Sequence, residues 1–140
     1  MDIEKLPILL NNLERVYYSS YIDILRKNKL TIKQWEAIES LFKLKNRRNT
    51  STEIAKSIDV FVPSLTRMVR ILSRRGIIDK TVLESDARHN SLVLTAEGRA
   101  LYRKLNPLIA NRKRRFCQDA KKTDNKINGL FNALSDYLKV

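Results

Sequence analysis

Apolar residues recur along this chain at steps of three and four, the spacing of one face of an α-helix. Residues 6 to 26 carry Leu6, Leu9, Leu10, Leu13, Val16, Tyr17, Tyr21, Ile24 and Leu25 in that rhythm, which predicts a single long amphipathic helix. Its stripe runs the whole length, long for a helix that packs only inside a small domain. "LTIKQWEAIESLFKL" follows, with Thr31 and Gln34 at capping-box spacing and Ile32, Trp35, Ile38, Leu41 and Phe42 as its buried face. After the polar loop "KNRRN", Thr50 and Glu53 repeat the capping pattern, and Ile54, Ala55 and Ile58 turn inward. "DVFV" makes a turn. Pro63 suits an early helical position, where a missing N–H costs little. Leu65, Met68, Val69 and Leu72 then form an i, i+3, i+4, i+7 stripe that Gly76 ends.

The period changes in "IIDKTVLESDARHNSLVLT", where apolar and β-branched residues flank a polar centre. That predicts a hairpin with a long charged tip. Thr95 caps a further helix through Leu101, Leu105, Leu108 and Ile109, with Pro107 a kink or a boundary. The stretch "NRKRRFCQDAKK" is strongly basic, and a last helix carries Ile127, Leu130, Phe131, Leu134, Tyr137 and Leu138. The predicted order is four helices, a hairpin and two helices in one mainly α domain.

The middle of this order is a helix-turn-helix followed by a wing. A helix of this kind fits the major groove of B-DNA, and residues near its N-terminus reach base edges. The stripe at 65, 68, 69 and 72 leaves Ser64, Thr66, Arg67 and Arg70 as candidate base readers. Arg74, Arg75 and Lys80, nearer the far end, suit phosphate. On the hairpin tip, Arg88 can enter a narrow minor groove, with His89 and Asn90 beside it. Asp86 is spaced to hold the Arg88 guanidinium by a charge-assisted bond.

Charge sharpens this picture. The 140 residues hold 28 Lys and Arg against 15 Asp and Glu, a net +13, which points to a polyanionic partner. Nucleic acid is the first candidate and anionic lipid the second. No stretch approaches the ~18 apolar residues that span a bilayer. "MDIEKLPILLNN" has no basic n-region and does not read as a signal peptide. One cysteine, Cys117, allows no intramolecular disulfide and fits a reducing cytoplasm. His89 is the only histidine, so no zinc site, cofactor site or catalytic triad is expected, and the chain does not read as an enzyme.

"LTIKQWEAIESL", "STEIAKSI", "PSLTRMVRILSRRGII" and "DARHNSLVLTAEGRALY" resemble, in order and spacing, the MarR family of bacterial winged-helix regulators. The resemblance runs from about Leu30 to Leu105. Its most specific parts are Thr66-Arg67 with Leu72 and Gly76, and Asp86-x-Arg88 followed by Leu94-Thr95-x-x-Gly98. It implies a homodimer, with residues 30–98 as the winged DNA-binding part and 1–29 and 99–140 as dimerisation helices. It also implies that Arg88 is the wing arginine and Asp86 its acidic partner. A small aromatic or phenolic effector is implied too, for which Tyr17, Tyr21 and Trp35 are candidate lining residues, although packing alone also explains them. Three positions depart from the family pattern: Ala87 where an arginine is common, Asp59 where a glycine is common, and Phe61 where a polar cap is common. "PSLT" looks most like a branch that controls aromatic-acid breakdown.

The expected function is a ligand-responsive repressor on a pseudo-palindromic operator. The alternative is a constitutive, architectural nucleic-acid binder without an effector, which the high charge would also serve.

Overall fold

A computed structural model describes residues 3–44, 49–82 and 90–123, together with Gly129, Asn132 and Asp136. Helices α1 (Leu6–Ser19), α2 (Ile22–Lys27), α3 (Ile32–Lys43), α4 (Ser51–Ser57) and α5 (Val62–Arg74) precede strands β1 (Ile78–Val82) and β2 (Asn90–Leu94). Helix α6 (Ala96–Thr123) follows. Gly129, Asn132 and Asp136 are helical, while the apolar residues expected on the last helix lie outside the described residues. The chain forms two compact units, one of Met1–Asp23 with Leu108–Val140 and the other of Ile24–Pro107.

The single helix expected over 6 to 26 is two helices. Ser19 and Ser20 turn their hydroxyls back onto the carbonyls of Val16 and Tyr17, at 2.7 and 2.6 Å. The N–H groups of Ser20 and Tyr21 reach three residues back, to Tyr17 and Tyr18. Serine hydroxyls compete in this way for helical acceptors, and the tightened turn breaks the helix. The apolar period hides the break because it continues in α2. Pro107, by contrast, sits inside α6 without ending it.

In the first unit, Arg112 on α6 grips the α1–α2 junction. Its guanidinium donates to both Asp23 carboxylate oxygens at 3.2 Å and to the Ser20 carbonyl at 3.1 Å. The Lys113 ammonium lies 5.1 Å from the Tyr21 ring centre. Part of the basic run is therefore tied to the fold, whereas Arg114 and Arg115 are exposed.

The second unit holds its core in Leu25, Trp35, Ile38, Ile54, Leu65, Leu72, Ile78, Leu92 and Leu105, each fully buried or nearly so. Thr31 and Gln34 form the full capping box on α3, at 3.1 and 3.0 Å. Thr50 caps α4 through Glu53 N–H at 3.2 Å. Lys33 donates to the Ile58 carbonyl at 2.8 Å, and the Ser40 and Ser57 hydroxyls share a bond of 2.9 Å, so α3 and α4 are fastened by polar contacts beside the core. Strands β1 and β2 pair antiparallel from Ile78↔Leu94 to Val82↔Asn90. The segment before α4 adds a bridge, with Leu92 N–H donating to the Asn49 carbonyl at 2.8 Å.

Three turns in this unit share one geometry. Lys29, Asp59 and Gly76 have φ of 53°, 55° and 71°. In each, the next residue's N–H bonds five residues back: Leu30 to Leu25, Val60 to Ala55 and Ile77 to Leu72. This is the Schellman turn that ends a helix. Only Gly76 announces it in sequence. Thr95 then locks the start of α6 to the last of these turns, its hydroxyl donating to the Gly76 carbonyl at 2.5 Å and accepting Gly98 N–H at 2.9 Å. Gly98 is required because a Cβ there would collide with the Ile77 carbonyl.

A left-handed L-residue costs roughly 1–2 kcal/mol, and glycine's extra freedom in the unfolded chain offsets roughly 0.5–1 of that. Lys29→Gly should therefore raise the unfolding free energy by about 0.5–1 kcal/mol. Gly76→Ala should lower it by about 1–2 kcal/mol, since its Cβ would also meet the Glu97 carboxylate at 3.0 Å. Urea titrations read both, as opposite shifts in midpoint at unchanged slope.

Candidate nucleic-acid interface

Helix α5 is sharply two-sided. Leu65, Val69 and Leu72 are buried and Met68 is half-buried, while Ser64, Thr66, Arg67, Arg70 and Arg74 are all exposed. Arg67, Arg70 and Arg74 follow each other at three and four residues, so they share one face opposite the buried stripe. None of the three pairs with a carboxylate among the described residues. A helix surface with three unpaired guanidiniums repels itself, by roughly 0.2–0.5 kcal/mol per neighbouring pair. The arrangement favours an anion laid along it.

Thr66 is less free than its exposure suggests. Its hydroxyl donates to the Val62 carbonyl at 3.0 Å, leaving its methyl group and its oxygen lone pairs for a partner. Beside it lies an open hollow of about 440 Å³, lined by Ser51, Thr66, Arg70, Ser73, Arg74 and Lys80 with Val69 and Leu92 at its floor. Arg70, Arg74 and Lys80 thus bring three cations to one concavity between α5, the start of α4 and the hairpin. Neither Ser51 nor Ser73 is marked by any sequence pattern. The fold alone gathers them.

Arg75 does not belong to this surface. Its guanidinium donates to the carbonyls of Lys29 and Asn28, at 2.6 and 2.8 Å, and so pins the end of α5 to the turn after α2. The sequence groups it with the phosphate candidates because its acceptors are main-chain atoms, which no residue type advertises. Lys80 is exposed on β1, as expected. Asp86, Arg88 and His89 lie outside the described residues.

The candidate ligand residues fall in the two units. In the first, Tyr17 meets Tyr21 edge to face at 5.9 Å and Phe116 at 5.5 Å. In the second, Trp35 has no exposed surface and stacks on Tyr102 at 5.3 Å, with Phe42 stacked on the same Tyr102 ring at 4.0 Å. Burial, helped by the Glu39 carboxylate, raises the pKa of the Tyr102 phenol above its ordinary 10.0. Trp35 is thus a core residue in this conformation, and its indole N–H finds no hydrogen-bond partner among the described residues.

Residues 30–89 match the sequence model of the MarR family. Over that stretch the chain is similar to the MarR family. Its fold agrees over nearly the full length with solved MarR-type structures. The transcriptional repressor CouR bound to a 23-mer DNA duplex is 23% identical, with 99% of each chain covered and a TM-score of 0.77. The MarR family transcriptional regulator SPO1453 from Silicibacter pomeroyi DSS-3 is 26% identical, covering 94% of this chain and 93% of that one, at 0.73. NadR in complex with 4-hydroxyphenylacetate is 22% identical, covering 96% and 95%, also at 0.73. No curated protein sequence matches significantly. MarR proteins are DNA-binding transcription regulators, not enzymes.

The two neighbouring arginines at the end of α5 should behave differently. Arg75→Ala should cost about 1 kcal/mol of stability through its two lost charge-assisted bonds, and Arg75→Lys should not restore it, because an ammonium cannot fork to two carbonyls. Arg74→Ala should stay within about 0.5 kcal/mol of the parent. Thermal melting of the three variants checks this.

Proposed function

We propose that this chain is a MarR-family, ligand-responsive repressor that binds a pseudo-palindromic operator as a homodimer. The observation that carries the reading is the arginine face of α5, unpaired among the described residues, on the second helix of a helix-turn-helix. Ser64, Thr66, Arg67 and Arg70 read bases in the major groove. Arg74 and Lys80 neutralise phosphate at the rim. The hairpin tip, with Arg88 supported by Asp86 and flanked by His89, grips the adjacent minor groove. The DNA duplex seen with CouR supports this assignment.

Dimerisation is supported by the first unit. Ile3, Ile8, Leu9, Leu10, Val16 and Leu108 are exposed there, more large apolar surface than a lone subunit gains by showing to water. The terminal helices, 1–29 and 99–140, form the dimer layer and set the separation of two winged parts, 30–98. Those parts must meet successive major grooves roughly 34 Å apart. An effector acts by binding one separation better than another. The phenolic acid held by NadR supports a small aromatic ligand, with half-buried Tyr17 the side chain offered to its ring and Tyr21, 1% exposed, packed behind it. Such a regulator works on chromosomal DNA in the cytoplasm.

Footprinting on genomic fragments should give one protected pseudo-palindrome with half-sites about one helical turn apart, and phenolic acids should weaken that protection. Uniform protection of all DNA would instead support an architectural binder. Arg67→Ala should relax specificity at one position per half-site. Arg74→Ala should weaken all sequences alike and lower the salt slope by about one per subunit. Equal loss on every sequence from both variants would remove the base-reading role.

A further inference from the structure

We propose that Phe61 reads DNA, packing its ring against the 5-methyl group of a thymine in the major groove. This rests on the DNA-binding reading above and adds the chemical group that is recognised.

Phe61 is 84% exposed, the highest value among the large apolar side chains described. A phenyl ring left in water contributes nothing to the burial that drives folding. Nor does it help its own helix. Phe61 is the N-cap of α5, in extended geometry, and makes no side-chain capping bond where Ser, Thr, Asp or Asn would make one. The side chain is thus unfavourable to the free protein on two counts. Val62 and Pro63 beside it are exposed as well, so the first turn of α5 shows water an apolar tip. One turn further on, the polar and cationic residues begin.

That tip lies where a recognition helix meets base edges. The major-groove edges of the four base pairs carry hydrogen-bonding groups and one apolar group, the thymine methyl. A phenyl ring against a donor or acceptor would strip its water and return no bond. Against a methyl it removes apolar area from water on both sides. The arginines of α5 draw the helix to any duplex. Phe61 adds a preference for thymine at the step it covers.

The test starts from duplexes selected by the wild-type protein out of a random pool. Each thymine is replaced in turn by deoxyuridine, which keeps the pairing and the O4 acceptor and lacks only the methyl. One position per half-site should lose affinity roughly three- to fivefold, as expected for one buried carbon. Phe61→Ser should bind the thymine duplex more weakly by a similar factor and bind the uracil duplex no differently. Its salt dependence should match the parent's, because no phosphate contact is lost. Its melting temperature should not fall, and should rise by a few degrees, because serine supplies the capping bond that phenylalanine lacks. Indifference of the wild type to uracil at every position overturns the inference, and so does a uracil penalty that persists in Phe61→Ser. A change in the association state of the DNA-free variant also overturns it, by assigning the ring to a protein contact. A wild-type chain that selects no duplex at all removes the DNA-binding reading itself, an outcome distinct from the others.

Discussion

The burial of Leu65, Val69 and Leu72 is the interaction on which the rest of the winged part depends. A helix of 13 residues is marginal in water by itself. One that carries arginines at 67, 70, 74 and 75 is worse off, since like charges face each other at helical spacing. Removing a leucine or valine side chain from water stabilises by roughly 1.5–3 kcal/mol. Three such side chains on one stripe outweigh the repulsion. The helix can then hold its guanidiniums in solvent without carboxylate partners among the described residues, an arrangement that favours a polyanion.

Placement comes from the ends of the helix. At its C-terminus, Gly76 turns the chain, Thr95 ties that turn to α6, and the bare backbone of Gly98 lets α6 approach Ile77. At its N-terminus, the preceding turn is fixed by Asp59 in left-handed geometry and by Lys33 on the Ile58 carbonyl. Both fastenings use main-chain atoms. Side chains on the outer face are therefore free to vary with the partner while the helix stays in place.

Much of this was legible in the sequence, because periodicity and caps are local. The stripe on α5, the capping box at Thr31, the threonine cap at Thr50, the Gly76 stop and the hairpin all follow from residue type at short spacing. The break at Ser20 was not legible, because the apolar rhythm crosses it without interruption. Nor were the turns at Lys29 and Asp59, where tertiary packing holds ordinary residues in a conformation that composition assigns to glycine. The separation of Arg74 from Arg75 was hidden too. They are adjacent and alike in sequence, but the helix points one outward and the other back at a carbonyl pair. The hollow lined by Arg70, Arg74 and Lys80 draws on three segments, and no local pattern joins them.

The Arg75 clasp has a mechanical side. It holds the peptide groups of residues 28 and 29, not their side chains, so it registers the path of that loop and is indifferent to its composition. Substitutions in the loop that keep its course leave α5 where it was. A shift of that loop would pull on the C-terminal end of α5 through the two carbonyls. The clasp thus couples the course of the α2–α3 bend to the C-terminal end of α5.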